Sequence, residues 1–173
     1  MTITLVAVMS LNSKITQGLD IAISDWASNE DGDFFKKLLA KHKVFIMGST
    51  TYNSVKPRPS AEKLRIILSR NPSSHQDEQI SGKIEFTDAS PAIIVADLKK
   101  RGHGQALLLG GSEIYSLFLD SGLVSEMYIT IEPSIFGTGL NLANNLTRNI
   151  DCELISVEVL NKKGSLLLHY KNL

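Results

Sequence analysis

Ala106-Leu107-Leu108-Leu109-Gly110-Gly111-Ser112-Glu113-Ile114-Tyr115 decides the class of fold. Four apolar residues run without alternation, two glycines break the run, and a helical pattern from Ser112 to about Asp120 follows. An unbroken apolar run is how a strand buried on both faces reads, so a helix must cover each side of the sheet that contains it. The same form recurs at Ile3-Thr4-Leu5-Val6-Ala7-Val8-Met9, Val44-Phe45-Ile46-Met47 and Ile66-Ile67-Leu68. Between these runs lie helical patterns over about Asn29 to Lys41, Thr50 to Val55, and Pro91 to Lys100. The last has the full set of end signals: Ser90 as cap, Pro91 in the first turn, Lys99-Lys100-Arg101 at the end and Gly102 as the stop.

After Ser125 the pattern changes. Glu126 to Ile131, Cys152 to Leu160 and Ser165 to Lys171 alternate or carry branched residues with no helix between them, and Asn161-Lys162-Lys163-Gly164 reads as a turn. The expected fold is therefore α/β, a three-layer sandwich around a mostly parallel sheet of about eight strands that ends in an antiparallel C-terminal hairpin. Lys56 to Ser60 and Asn71 to Gly82 read as polar surface loops, and residues 1–173 as a single domain.

Composition narrows the function. The chain has 173 residues, 43% hydrophobic and 21% charged, and its 18 basic side chains balance 18 acidic ones. A domain of this size buries roughly 70% of its unfolded surface. No like-charge block has the length of a nucleic-acid arm or a membrane-binding patch, and no apolar run approaches a membrane span. Cys152 is the sole cysteine, which excludes an internal disulfide and a cysteine-rich zinc site. His42, His75, His103 and His169 show no ligand spacing, so no metal is expected and the four read as surface side chains. The expectation is a soluble cytoplasmic domain acting on a small molecule, without nucleic-acid or membrane partners.

Two constellations carry chemistry. In Ser28-Asn29-Glu30-Asp31-Gly32-Asp33-Phe34-Phe35-Lys36-Lys37-Leu38, helical spacing puts Asp31 on one face with Phe34, Phe35 and Leu38. A carboxylate on an apolar stripe needs a partner. One reading makes Asp31 the third helical residue of a capping box whose cap is Ser28. The other places it in an apolar pocket, accepting hydrogen bonds from a planar nitrogen heterocycle with Phe35 against the ring. The second constellation is a set of polar strand ends: Met47-Gly48-Ser49-Thr50-Thr51, Leu68-Ser69-Arg70 and Leu109-Gly110-Gly111-Ser112. Ligands of open α/β sheets bind at such ends, where glycine admits close approach, hydroxyls bond phosphate and an arginine can fork onto another phosphate. The G-x-G-x-x-G fingerprint of the ordinary dinucleotide fold is absent.

Taken in order, Trp26 with Asp31 and Phe35-Lys36, Ile46-Met47-Gly48-x-x-Thr51-Tyr52, Ile66-Ile67-Leu68-Ser69-Arg70, Leu109-Gly110-Gly111-Ser112-x-Ile114-Tyr115 and Met127-Tyr128-Ile129-Thr130 resemble the dihydrofolate reductase superfamily. The resemblance implies an NADPH-dependent reductase of dihydrofolate or a related pterin. Asp31 would hold the 2-amino and ring N–H edge, Thr130 would support it, and Trp26 would help fix ordered water beside the site. Val6, Phe35 and Lys63 would complete the substrate site. Lys63 stands in Ala61-Glu62-Lys63, where the family has a P-G-R arginine, and it offers charge without a two-pronged fork. For the cofactor, backbone at Ala7 and Ile15 would receive the nicotinamide carboxamide. Gly48, Ser49, Thr50 and Thr51, with Gly110, Gly111, Ser112, Glu113 and Ile114, would hold the pyrophosphate. Leu68, Ser69 and Arg70 would meet the adenosine phosphate, and Tyr115 would lie near the nicotinamide. The same superfamily includes the riboflavin-biosynthesis reductase, which acts on a ribosylaminopyrimidine phosphate. Met9-Ser10-Leu11-Asn12-Ser13-Lys14-Ile15 and Glu132-Pro133-Ser134-Ile135-Phe136-Gly137-Thr138-Gly139 are similar to that branch. Its members also dimerise through a C-terminal strand, so the expected state is monomer or homodimer. A third reading keeps the fold as a non-catalytic nucleotide-binding protein.

Overall fold

The computed structural model describes residues 1–18 and 23–172, so the middle of the loop between Asn12 and Trp26 lies outside the described residues. Among the described residues, eight strands form one sheet in the order β4-β3-β2-β5-β1-β6-β8-β7. They are β1 (Thr2–Ser10), β2 (Val44–Gly48), β3 (Leu64–Leu68), β4 (Ile84–Thr87), β5 (Gln105–Leu108), β6 (Glu126–Glu132), β7 (Cys152–Val159) and β8 (Leu166–Asn172). Pairings from β4 across to β6 are parallel, while β6 with β8 and β8 with β7 are antiparallel. The sheet is covered by α-helices α1 (Asn29–Lys41), α2 (Ser49–Val55), α3 (Pro91–Lys100) and α4 (Ser112–Asp120).

Alternation along the buried strands divides the core into two layers. Ile3, Leu5, Ala7, Ile46, Ile66 and Leu108 pack with Ile94, Val95 and Leu98 of α3 and Tyr115 and Phe118 of α4. On the other side Val6, Phe45, Met47, Ile67 and Leu107 pack with Leu38 of α1 and Tyr52 of α2. Helices thus lie on both faces, as the continuous apolar runs require.

Some expectations need correction. The eighth strand is β4, four residues long, whose outward Glu85 interrupts its inward Ile84 and Phe86 and hides it among polar neighbours. Within the expected loop from Asn71 to Gly82, Pro72–Glu78 winds into 3-10 turns. The histidines are not all surface groups. The His75 and His169 side chains are only 17% and 20% exposed, and their rings stack on Phe86 and Tyr128 at 4.2 Å. On α4, Phe118 and Leu119 are buried while Leu117 faces outward. At the far edge of the sheet, β7 exposes Leu154, Ile155, Val157 and Val159.

The C-terminal end of β1 is bound to the segment after β6. Leu11 N–H donates to the Ser134 carbonyl at 2.8 Å, Ile15 N–H to Leu140 at 2.9 Å, and Leu142 N–H to Ser13 at 3.0 Å. The Asn12 side chain spans the same seam, donating to the Phe136 carbonyl at 2.8 Å and accepting the Phe136 N–H at 3.0 Å. Gly139 closes it at φ +136°, where a Cβ would stand 1.9 Å from the Thr16 carbonyl oxygen. Gly139→Ala is therefore expected to cost about 1–3 kcal/mol in backbone strain and clash. In thermal unfolding this reads as a loss of about 2–4 °C per kcal/mol; an unchanged Tm would show that the seam yields freely.

Candidate active site

Asp31 sits in the first turn of α1. Ser28 caps the helix, its hydroxyl accepting the Asp31 N–H at 3.3 Å. The capping box is only half made. The Ser28 N–H, which a reciprocal box would give to Asp31, donates instead to Glu132 Oε1 at 2.8 Å. Asp31 turns inward, where it is 8% exposed and takes the hydroxyl of Thr130, itself 1% exposed on β6. Burial pushes the Asp31 carboxyl above the usual carboxylate range; the Thr130 hydrogen bond opposes this and the charge of Glu132 adds to it. Phe35, half-buried, follows one turn along the same face, and Trp26 meets Phe136 edge-on at 5.0 Å. The Trp26 indole N–H is buried and meets no acceptor among the described residues.

The glycine-bearing ends of β2 and β5 come together. Gly48 N–H donates to the Gly110 carbonyl at 2.7 Å, which ties the end of β2 to the turn before α4. Gly110 has φ +90°, and a Cβ there would lie 2.7 Å from the Tyr115 ring. Both α2 and α4 begin at a glycine, Gly48 and Gly111, with no side-chain cap. Their first-turn N–H groups accordingly face outward from neighbouring strand ends. Ser49 and Thr51 are half-buried and Thr50 exposed. Ser112 is buried and its Oγ accepts from Asn144 at 2.9 Å, which leaves its own proton to donate. Glu113 is exposed and Ile114 packs over Gly48. Leu68 is buried at the end of β3, Ser69 N–H donates to Thr87 at 2.9 Å, and Arg70 is exposed.

One hydrogen bond links the two halves. The buried Tyr115 hydroxyl donates to the Val6 carbonyl at 2.6 Å, and burial drives its pKa far upward, so it remains a donor. Val6 and Ala7 are buried in β1 between β5 and β6. The Ile15 N–H is committed to Leu140, so a contribution from Ile15 to a carboxamide would come through its carbonyl. Lys63 stands apart. Its ammonium donates to the Leu39 carbonyl at 3.2 Å and lies 5.5 Å over the Phe45 ring. Leu39 is eight residues beyond Asp31 on α1, or about 12 Å along the helix axis. Lys63 also lines an open cavity of about 480 Å³ with Lys43, Glu62, Arg101 and His103.

Sequence reasoning gave Glu132 and Ser165 no part in the site. Glu132 is 4% exposed, and its Oε2 accepts the Ser165 hydroxyl at 2.5 Å. A signal existed in the alternation of β6, which puts Glu126, Tyr128, Thr130 and Glu132 on one face. Among the described residues no group of three His, Cys, Asp or Glu side chains is arranged to hold a metal ion, and no helix is long and apolar enough to cross a membrane.

A mostly parallel sheet with an acid on α1 and glycine-capped helices at adjoining strand ends has the architecture of a dihydrofolate-reductase-like reductase. Residues 2–139 match the dihydrofolate reductase family, and the chain belongs to it. It is 29% identical over 115 residues to dihydrofolate reductase of Candida albicans, covering 61% of this chain and 56% of that protein. It is 26% identical over 141 residues to the uncharacterized protein YwjB of Bacillus subtilis (strain 168), covering 75% of this chain and 76% of that protein. The fold is shared with a diaminohydroxyphosphoribosylaminopyrimidine deaminase/5-amino-6-(5-phosphoribosylamino)uracil reductase from Thermotoga maritima. That likeness has TM-score 0.78 and 18% identity over 99% of this chain and 56% of that one. The chain thus spans little more than half the length of the Candida and Thermotoga proteins.

Proposed function

We propose that the protein is an NADPH-dependent reductase that acts on a C=N bond of dihydrofolate or a related pterin. The observation that carries this reading is the buried Asp31 carboxyl, held by Thr130 on a face of the sheet that also presents Val6 and Val8. A carboxyl placed there recognises adjacent N–H groups of a flat heterocycle, and Phe35 and Val6 offer the apolar walls such a ring needs. The residues present fit a dinucleotide. Gly110 lies where a Cβ would meet the Tyr115 ring, and α2 and α4 start without side-chain caps at strands joined through Gly48 and Gly110. Gly48 to Thr51 and Gly110 to Ile114 would hold the pyrophosphate, Ala7 and Ile15 the carboxamide, and Leu68 to Arg70 the adenosine phosphate. NADPH, when bound, supplies the hydride that reaches the C=N carbon while a proton reaches the nitrogen. The chain's own contribution is alignment, exclusion of water and the charge of Asp31.

A second reading, the riboflavin-pathway reductase of a ribosylaminopyrimidine phosphate, has its own support. The two stretches that resemble that branch, Ser10 to Ile15 and Pro133 to Gly139, are laced together by the Asn12 side chain and the Leu11 to Ser134 hydrogen bond. In addition, Lys63 spends one of its donors on Leu39. The test is loss of NADPH absorbance with each substrate in turn, beside Asp31→Asn and an NADH control. Oxidation that needs dihydrofolate and Asp31 is the expected result. Turnover of the ribosylaminopyrimidine phosphate alone would move the assignment to the second reading, and turnover of neither would leave a nucleotide-binding protein.

A further inference from the structure

Glu132 is a buried carboxyl that no role described so far uses. It stands at the last position of β6, two residues beyond Thr130 and on the same face of the sheet. Its two oxygens do different work. Oε1 accepts the Ser28 N–H at 2.8 Å, the donor that a complete capping box would have bound within α1. Oε2 accepts the Ser165 hydroxyl at 2.5 Å, from the turn that leads into β8. Ser165 is itself held by Asn161, whose amide donates to the Ser165 Oγ at 2.9 Å and to Glu30 Oε2 at 3.2 Å. Glu132 thus ties the start of α1 to both β6 and the turn before β8, and the Asn161 to Glu30 bond adds a second tie to the hairpin.

We propose that Glu132 is a positioning residue for Asp31: by holding the Ser28 N–H against β6 and the Ser165 hydroxyl, it fixes where α1 begins and so where the Asp31 carboxyl stands against Thr130. The assignment rests on Asp31 being the substrate-recognising acid proposed above. A helix start is an effective place to act, because a helix is stiff and a change of entry point moves every side chain of its first turn together. The interaction is also electrostatic. The face that receives Asp31 presents Val6, Val8 and Ser10 from β1, Tyr128, Thr130 and Glu132 from β6, and Ser165, Leu167 and His169 from the β8 side. His169 is already bonded to Glu126 at 2.9 Å, and Glu30 on α1 is exposed and takes Asn161. Glu132 is the charged group whose field reaches Asp31 and favours its protonated form.

The test uses the free protein, so it does not depend on which substrate is turned over. Glu132→Gln keeps a side chain that can accept the Ser28 N–H and removes the charge; Ser165→Ala removes the clasp and leaves the charge; Glu132→Ala removes both. In carbon-detected NMR titration, the Asp31 midpoint is expected to move down toward the ordinary carboxylate range in Glu132→Gln. In hydrogen exchange, protection of the α1 first turn is expected to fall about tenfold or more in Glu132→Ala, and by less in Ser165→Ala. With whichever substrate is active, Glu132→Ala should lose on the order of tenfold to a hundredfold in kcat/KM. Glu132→Gln should shift the pH profile in the same direction as the NMR midpoint. An Asp31 midpoint and an α1 protection pattern unchanged in Glu132→Gln and Ser165→Ala would overturn the proposal even if Glu132→Ala failed to fold. If no substrate is turned over while the midpoint and protection change as described, the functional reading fails and the positioning of Asp31 by Glu132 stands.

Discussion

Asp31→Asn is expected to lower turnover by about 10²–10⁴-fold and, in the same protein, to raise the melting temperature at pH 7. The two effects have one cause. A buried carboxyl suits recognition of a polar heterocycle, yet in the free protein it holds charge in surroundings that disfavour it. Burial raises the pKa of Asp31, the Thr130 hydroxyl partly restores it and the charge of Glu132 raises it again. The sign follows from linkage. Between the ordinary carboxylate pKa and the raised folded value, the folded state binds more protons than the unfolded chain, so stability falls as pH rises through that window and stays lower above it. Asparagine keeps an oxygen for the Thr130 hydroxyl, and the backbone N–H of position 31 still donates to Ser28, but the side chain cannot ionise. Above the window the variant should therefore gain about 0.5–2 kcal/mol, a common return for relieving an unfavourable buried charge. Below it, wild type and variant should converge. The helix-dipole term works in the opposite direction, because a negative charge in a first turn is worth about 0.3–1 kcal/mol. A variant that loses stability at pH 7 would mean that capping, not recognition, dominates at Asp31. The measurements are Tm against pH for both proteins and NADPH oxidation with each substrate.

Much of this arrangement was legible because its physics is local. The unbroken runs at Ile3 to Met9 and Val44 to Met47 are strands whose two faces both meet helices, and the ends of α1, α3 and α4 are marked by Ser28, Pro91 and Gly111. What escaped was set by distant partners. β4 is recognisable only beside β3, where Ile84 and Phe86 find the core while Glu85 turns out to Arg101. Asp31 sits at the right place for a capping box, but Glu132, 104 residues away from Ser28, takes the reciprocal bond. Nothing local to α1 announces that exchange. Lys63 teaches a related lesson. Its position before β3 matched a family arginine, but the structure gives it a backbone carbonyl and an aromatic face to hold, contacts that no spacing argument contains.

Arg70→Ala is expected to weaken NADPH by about 1–3 kcal/mol, roughly 5- to 150-fold, while leaving NADH nearly unchanged. Arg70 follows β3 at the point where Ser69 is pinned, its N–H on Thr87 at 2.9 Å and its Oγ accepting the Asn71 N–H at 3.2 Å. The backbone is therefore fixed immediately before an exposed guanidinium that has no ion pair among the described residues. Lys56, by contrast, is engaged with Glu78 at 3.6 Å. A guanidinium offers a planar two-pronged donor to a phosphate, which a lone ammonium does not. If Arg70 reads the phosphate that distinguishes NADPH from NADH, the wild-type preference should also shrink as salt is raised, because both charges are exposed to screening. Arg70→Lys should recover part of the affinity but not all of it, since charge returns without the fork. Equal weakening of both cofactors by Arg70→Ala would assign Arg70 to the shape of the loop after β3. No change in either would place the phosphate elsewhere, with the hydroxyls of Ser49 to Thr51 as the next residues to vary.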